Sequence, residues 1–132
     1  MAMTTNDNVR YWVDIAKYDL ETAGVMLESR RFLYVGFMCH QAVEKILKAY
    51  YTNVKKETPP FTHNLKMLAN KSGIYESLLE KQKDLIDELI PLNIEARYPT
   101  YKEKLLKSLS YAKCKSLIEQ TKELCNSIEK IL

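Results

Sequence analysis

The chain has 132 residues, a formal net charge of +3 at pH 7, hydrophobic residues at 46% of positions and charged residues at 28%. This is the composition of one folded globular domain, which excludes an intrinsically disordered chain and leaves no room for a second core. Because all-β folds need many Gly- and Pro-rich turns, the presence of only 3 Gly and 4 Pro disfavours sandwiches and barrels. We therefore expect a single helical domain over residues 1–132.

Cysteine usage and hydropathy predict a cytoplasmic protein outside the membrane. Cys39, Cys114 and Cys125 form no CxxC pair, and an odd number of cysteines cannot close a complete set of disulfides. The longest apolar runs, such as Phe32–Cys39, are far shorter than the roughly 18 residues of a membrane span, and the N-terminal residues contain no hydrophobic signal core. The net charge is too small to indicate nucleic-acid binding by itself.

The first half of the sequence predicts two long helices. A helix capped by Asn6 or Asp7 is expected to continue to about Ser29, because apolar residues recur at intervals of three and four positions. The same spacing predicts a second helix over Leu33–Tyr51. The break between them is so short that the two helices must form an antiparallel hairpin.

Proline and glycine punctuate the next part of the chain. A pair of prolines predicts a loop over residues 52–61, because proline lacks an amide donor and excludes its predecessor from the helical region. A short third helix is expected over about His63–Lys71, capped by Thr62 and ended by a left-handed Gly73.

The remaining segments complete a helical bundle. An apolar stripe over residues 75–90 predicts a fourth helix that Pro91 interrupts, with a hard stop at Pro99. The last segment repeats leucine and isoleucine at helical spacing, and Thr100 and Glu103 have the spacing of a capping box. The expected fold is all-α, an antiparallel up-down bundle of four long helices plus one short helix.

A polar ridge on the second predicted helix is a candidate site. His40, Glu44 and Lys48 lie at i, i+4 and i+8, and Gln41 and Lys45 adjoin them. A histidine oriented by a carboxylate suits a general base, and a lysine suits a phosphate group. The alternative is an ordinary helix flank with i, i+4 charge pairs.

Three further residues can face the same pocket. His63, at the start of the third predicted helix, can bind a ligand or simply pack. Arg97 can grip a phosphate bidentately, and Tyr98 can stack on a base. The alternative is structural, with Arg97 paired to Glu44, Glu95 or a carbonyl at a helix end, and the tyrosine half-buried.

Neither a metal centre nor a cofactor is expected. The sequence has two histidines and no ExxH pair from which a bundle could build a dicarboxylate metal site. It also has no Gly-rich phosphate loop, GxSxG elbow, Walker lysine or zinc-finger spacing. The common nucleotide-dependent enzymes are therefore disfavoured.

Three segments, in this order, resemble a known family: FLYVGFMCHQAVEKILKAYY, then FTHNLKMLA after a proline-containing loop, then EARYPTY. Over residues 9–130 the chain resembles the HEPN domain, a small helical domain named for higher eukaryotes and prokaryotes and for nucleotide binding. The resemblance implies an up-down bundle, usually a homodimer, that is often encoded beside a minimal nucleotidyltransferase as a toxin–antitoxin pair.

Many members of this family are metal-independent ribonucleases that use an arginine and a histidine separated by four to six residues. This sequence departs from the pattern, because eight residues separate Arg31 from His40 and no histidine follows Arg97. The resemblance therefore implies a nucleotide or RNA pocket without a catalytic assignment. The matching positions are His40, Gln41, Glu44, Lys45, Lys48, His63, Arg97 and Tyr98.

The leading hypothesis is a nucleotide- or RNA-binding bundle that acts with a nucleotidyltransferase partner, which performs the chemistry. One alternative is a divergent metal-independent ribonuclease with His40 or His63 as acid and base and Arg97 as phosphate clamp. Another is a pure dimerisation module whose polar ridge is only solvated surface.

A homodimer is also expected from the aromatic residues of the first two helices, which cannot all face one core. Interface cores are enriched in aromatic side chains, so a two-fold contact through this surface would bury them. These residues are Tyr11, Tyr18, Phe32, Tyr34, Phe37 and Tyr51.

Overall fold

Two helices of 24 residues each, α1 (Thr5–Glu28) and α2 (Phe32–Lys55), form the antiparallel pair around which the other elements pack. The computed structural model describes residues 3–94 and 99–132. Within those residues every regular element is helical and there is no strand. The all-α prediction is therefore confirmed, and so is the antiparallel hairpin of the first two helices.

A capping box starts α1 at Thr4, two residues before Asn6 and three before Asp7. The Thr4 hydroxyl accepts from the Asp7 amide at 3.1 Å, and the Asp7 carboxylate accepts from the Thr4 amide at 3.1 Å. These bonds satisfy two amides that a helix start leaves without partners, and they lower the pKa of Asp7. The predicted cap at Asn6 or Asp7 is therefore wrong, because Asp7 occupies the third helical position.

Helix α2 is the central element, and more than half of its residues are buried. It contacts α1 along its length, α3 (Leu65–Ser72) and α6 (Tyr111–Glu129). It also continues one turn beyond its predicted end, so the loop that follows covers residues 56–64 and not 52–61. Lys56 caps the C-terminal end of the helix, and its φ of 58° places it in the left-handed region.

Helix α3 begins later than predicted, and this change decides the environment of His63. Its N-cap is Asn64, whose side chain accepts from the Met67 amide at 3.0 Å. Thr62 is therefore not the cap; its hydroxyl accepts from the Asn64 amide. His63 consequently lies in the loop before the helix. The predicted left-handed glycine is confirmed, since Gly73 has a φ of 88°.

The later elements are shorter and more numerous than the four-long-plus-one-short prediction. A 3₁₀ turn (Tyr75–Ser77) precedes α4 (Glu80–Leu89), which gives way to a second turn, Ile90–Leu92, containing the interrupting proline. Pro99 does not mark a stop, since it begins α5 (Pro99–Ser108). Thr100 lies inside that helix and is not its cap. Ser110 then caps α6 as a separate helix.

The described residues therefore contain six α-helices and two short 3₁₀ turns. Three of the helices, α1, α2 and α6, exceed ten residues. No described helix combines the length and apolar character needed to cross a bilayer.

The three cysteines are buried and unpaired. Burial raises the pKa of Cys39 to about 12, that of Cys114 to about 11 and that of Cys125 to about 12. Because the nucleophilic form of cysteine is the thiolate, these thiols are inert packing groups of the core between α2 and α6.

Two glycines provide opposite tests of the backbone. Gly73→Ala is expected to lower the free energy of unfolding by about 1 kcal/mol, because an L-residue is strained at positive φ. Gly24→Ala, inside α1 with open space around the new methyl, is expected to raise it by about 0.5–1 kcal/mol. Urea titrations measure both, and a stabilising Gly73→Ala would contradict the left-handed end of α3.

Candidate functional site

The centre of the candidate site is the carboxylate of Glu44, on α2. Its side chain is only 1% exposed, and each of its two oxygens has a partner. Glu44 Oε2 lies 3.0 Å from Lys48 Nζ, one helical turn away, and Glu44 Oε1 lies 2.8 Å from His63 Nδ1. The carboxylate thus joins α2 to the loop before α3.

Glu44 is ionised in this environment. Burial alone raises its pKa, but hydrogen bonds from Lys48 and His63, together with the charges of Lys48 and Lys45, lower that pKa below its usual range. An ionised carboxylate can only accept hydrogen bonds. Nδ1 of His63 must therefore carry the proton in this contact, which leaves Nε2 available to another group.

Lys45 extends the cluster to α1. Its Nζ donates to Gln41 Oε1 at 2.8 Å and lies 3.7 Å from Asp19 Oδ2 and 3.9 Å from Glu44 Oε2. Burial raises the pKa of Asp19, and the nearby Lys45 opposes that shift. Two lysines, Lys45 and Lys48, therefore face two carboxylates, Asp19 and Glu44, in this cluster.

Lys48 is enclosed by the protein. Its ammonium bonds Glu44 and also lies 5.4 Å from the centre of the Trp12 ring, within the range of a cation–π contact. Lys48 is buried, so its ammonium contacts other groups of the protein. The i, i+4 charge pair that was predicted as the structural alternative is therefore present between Glu44 and Lys48. The same Glu44 carboxylate also contacts His63, whose side chain faces outward.

A groove of about 590 Å³ opens beside this cluster. Helix α2 supplies a buried histidine, the loop and first turn of α3 supply His63 and polar groups, and the turn after α4 supplies the opposite wall. Its lining residues are His40, His63, Asn64, Lys66, Met67, Ile90 and Asn93. His63 is thus shared between the buried cluster and the open groove, with 62% of its side chain exposed.

The structure brings most of the predicted site residues together. Gln41, Glu44, Lys45, Lys48 and His63 form one contact network, and His40 lines the groove with His63. Arg97 and Tyr98 lie outside the described residues. The ridge of His40, Glu44 and Lys48 therefore exists as predicted, but all three residues are buried, so the alternative of a ridge that is only solvated surface is wrong.

Several groups at the site were not singled out by sequence reasoning. Asp19 and Trp12 reach the cluster from α1 only through tertiary packing, for which the sequence offers no signal. Lys66 and Asn64 adjoin His63 in the FTHNLK segment, and this proximity in sequence is the signal that indicates them. Asn93 lies in the wall only because the chain turns after α4.

The arrangement suits anion binding and proton transfer. A carboxylate that fixes one ring nitrogen of a histidine orients the other nitrogen toward a ligand, which is how imidazole is prepared for acid–base work. Within residues 3–94 and 99–132, no three His, Cys, Asp or Glu side chains are grouped as ligands for a metal ion.

Comparisons with known proteins agree with the fold. The sequence profile of the HEPN domain matches residues 9–131. The chain is also similar to a solved structure, described as the crystal structure of TT1696 from Thermus thermophilus, with a TM-score of 0.79 and 17% identity. That match covers 94% of this chain and 98% of the other. None of the curated proteins compared with the chain matches it.

The buried ion pair predicts a large effect of one conservative change. Glu44→Gln keeps the shape of the side chain but leaves the buried Lys48 without its counter-ion, so the free energy of unfolding at pH 7 should fall by about 3 kcal/mol. Glu88→Gln breaks an exposed pair with Lys113 and should cost less than about 1 kcal/mol.

The same comparison has a defined pH dependence. Because folding lowers the pKa of Glu44 from its ordinary value of 4.5, the ionised group stabilises the fold above that pH. The stability difference between wild type and Glu44→Gln should shrink as the pH falls below about 4.5 through the folded-state pKa. Urea titrations between about pH 3 and 7 measure it, and a difference that grew toward acid would contradict this ion pair.

Proposed function

The chain belongs to the HEPN domain family, and from that premise we propose that it binds a nucleotide or a segment of RNA in the groove that His40 and His63 line. The observation that carries this proposal is the contact of His63 Nδ1 with the buried Glu44 carboxylate, which presents the histidine at the rim of the groove. The chemistry on the ligand belongs to a nucleotidyltransferase partner, with which the chain would form a toxin–antitoxin pair.

The size and lining of the groove support a nucleotide-sized ligand. Small-molecule sites typically occupy roughly 300–1,000 Å³ and combine apolar walls with a few polar groups. Here the volume is about 590 Å³, with Met67 and Ile90 as apolar walls and His63, Lys66 and Asn93 as polar groups. The apolar walls suit the flat face of a base, and the polar groups suit the charged phosphate of the same nucleotide.

Phosphate binding is assigned to the loop and first turn of α3. His63 has Nε2 available. Lys66 makes an exposed pair with Asp87 at 3.0 Å and lies 5.9 Å from the centre of the Tyr75 ring, and exposed contacts of this kind contribute little to stability. In the first turn of α3 the amides of Met67 and Leu68 already donate to Asn64, so the amides of Leu65 and Lys66 are the ones that can donate to an anion. The three features together form a cationic rim for an anion.

The remaining candidate residues have supporting roles. Glu44 orients His63 while Lys48 neutralises the carboxylate, and Lys45 with Gln41 ties the ridge to α1. Arg97 as a phosphate clamp and Tyr98 as a stacking group complete the proposed set, although both lie outside the described residues.

A homodimer is part of the same proposal, and the exposed face of α1 supports it. Tyr11, Tyr18 and Val25 recur every seven residues and are more than half exposed, at 52%, 68% and 61%. Tyr34 is exposed as well, whereas Tyr51 is buried and donates to Glu57, so it does not belong to this surface. A second copy covering this stripe would remove the aromatic rings from water.

Calorimetry with AMP and with an oligo(A) RNA of about eight nucleotides tests the proposed function. The wild-type protein should bind at least one of these ligands, and the double variant His63→Ala/Lys66→Ala should lose about tenfold or more in affinity, as expected for lost charge-assisted hydrogen bonds. Lys81→Ala removes an exposed lysine outside the groove and should leave affinity unchanged.

The absence of heat with both ligands up to millimolar concentration would overturn the proposal, as would equal affinities in the double variant and wild type. Co-purification with the product of a neighbouring nucleotidyltransferase gene tests the partner separately. Failure to co-purify would overturn the proposed partner and would leave the proposed binding site unaffected.

A second function, metal-independent RNA cleavage, is favoured by one observation. A carboxylate-oriented histidine such as His63 can remove the ribose hydroxyl proton that starts such a reaction. The RNA recovered from the calorimetry experiment distinguishes the two functions. Shortening in the presence of a chelator, abolished by His63→Ala in a folded protein, would favour cleavage, whereas intact RNA would favour binding alone.

A further inference from the structure

We propose that the groove takes up one proton from solvent for each anion bound at His63, because this ring can donate to an anionic oxygen only in its doubly protonated form. The inference rests on the proposed phosphate binding and specifies how pH regulates that site. Glu44 determines this property from the interior of the protein, and His63 presents it to the groove.

The proton on Nδ1 of His63 is committed to Glu44. Nδ1 lies 2.8 Å from Glu44 Oε1, and the glutamate side chain is 1% exposed, whereas the histidine side chain is 62% exposed. A neutral imidazole carries a proton on only one of its two nitrogens. The neutral ring therefore presents a bare Nε2 to the groove, which can accept a hydrogen bond but cannot donate one to an anion.

Two rearrangements would let a neutral ring donate to an anion, and each disrupts the contact with Glu44. Moving the proton from Nδ1 to Nε2 would place a nitrogen lone pair against an ionised carboxylate. Swinging the ring away from α2 would remove its donor from the same buried oxygen. Leaving a buried charged acceptor without its donor is costly, so neither route competes with a proton from solvent.

The added proton forms a bond to Nε2, no bond breaks, and the ring becomes an imidazolium. It then donates through Nδ1 to Glu44 and through Nε2 to a phosphate oxygen, so the new charge lies between two anionic groups. A bound anion therefore stabilises the protonated ring. By linkage, a lower pH strengthens the binding of the anion, and a higher pH weakens it.

Other charged and titratable groups face this ring from four helices. A hydrogen bond with Asp87 raises the pKa of Lys66, and the pKa of Glu44 is lowered, so neither group changes charge near neutral pH. His40 in the groove wall and Asp19, whose pKa is raised by burial, are the groups that the experiment must separate from His63. The full set is Asp19 on α1, His40, Glu44, Lys45 and Lys48 on α2, Lys66 on α3 and Asp87 on α4.

Calorimetry of the whole chain with an oligo(A) RNA of about eight nucleotides measures the proton uptake. The RNA has hydroxyl ends, because its phosphodiesters keep their charge near neutral pH whereas a terminal phosphate titrates there. At about pH 7.5 the heat of binding should change with the ionisation enthalpy of the buffer, in the direction of proton uptake. At constant ionic strength, the affinity should be about tenfold higher at pH 6 than at pH 8, since histidine ordinarily titrates between these values.

Two variants in the same groove separate the proton from the charge. His63→Gln keeps a polar side chain that is uncharged at every pH, so it should take up no proton and its affinity should change by less than about twofold over the same range. Lys66→Gln is the matched control. It should weaken binding but keep the proton uptake and the pH dependence of wild type. Circular dichroism confirms that each variant is folded.

Nitrogen-15 NMR of the wild-type protein gives a measurement that needs no variant. In the complex with the RNA at about pH 7.5, both ring nitrogens of His63 should carry a proton. A bare Nε2 in the complex would mean that a hydroxyl of the RNA donates to it, and would overturn the proposal.

The other contrary results are also distinct. Binding that is equal at pH 6 and pH 8, with a heat independent of the buffer, would overturn proton uptake and leave the nucleotide site intact. Proton uptake retained in His63→Gln would overturn the role of His63, because His40 or Asp19 would then take the proton. A wild-type protein that does not bind the RNA at any pH in this range would overturn RNA binding, and proton uptake with it.

Discussion

The carboxylate of Glu44 is the group on which the arrangement of the site depends. Removing a charge from water costs several kcal/mol, and an apolar side chain of the same size would fill the space between α2 and the loop before α3 at no such cost. The protein instead surrounds Glu44 with Lys48, His63 and Lys45. The buried carboxylate thereby holds the His63 ring in a fixed position at the groove.

The cluster also explains why the site spans three parts of the chain. Lys45 reaches Asp19 and Lys48 reaches the Trp12 ring, so α1 holds the lysines from one side. His63 approaches the carboxylate from the other side, on a loop that Asn64 ends by capping α3. A rotation of α2 relative to either neighbour would break contacts with a buried charge, which makes this register costly to change.

Local patterns were sufficient to predict much of the fold. The three- and four-residue spacing of apolar positions predicted α1 and α2, and the Ser72-Gly73 pair predicted the left-handed end of α3. The helix caps were harder to assign. Thr4, Asn6 and Asp7 are all good N-cap residues, and only the two hydrogen bonds between Thr4 and Asp7 identify Thr4 as the cap. Likewise, helical spacing continues across Leu109 and Ser110, although Ser110 caps a new helix there.

The site was predictable only in part, for a physical reason. Spacing along one helix placed His40, Glu44 and Lys48 on one ridge, because residues four apart share a face. It could not show that Lys48 faces inward, that Asp19 balances Lys45, or that Asn93 meets the groove across the molecule. Those contacts join residues far apart in sequence, and they exist only once the elements have packed.

The protonation of the His63 ring tests the central role of Glu44 most directly. Nitrogen-15 NMR of the intact, histidine-labelled protein at a pH where the ring is neutral assigns the proton to one nitrogen. The proton should be on Nδ1, facing Glu44, with Nε2 unprotonated, and Glu44→Gln should reduce this preference. A proton on Nε2, with Nδ1 bare beside an ionised carboxylate, would contradict the account.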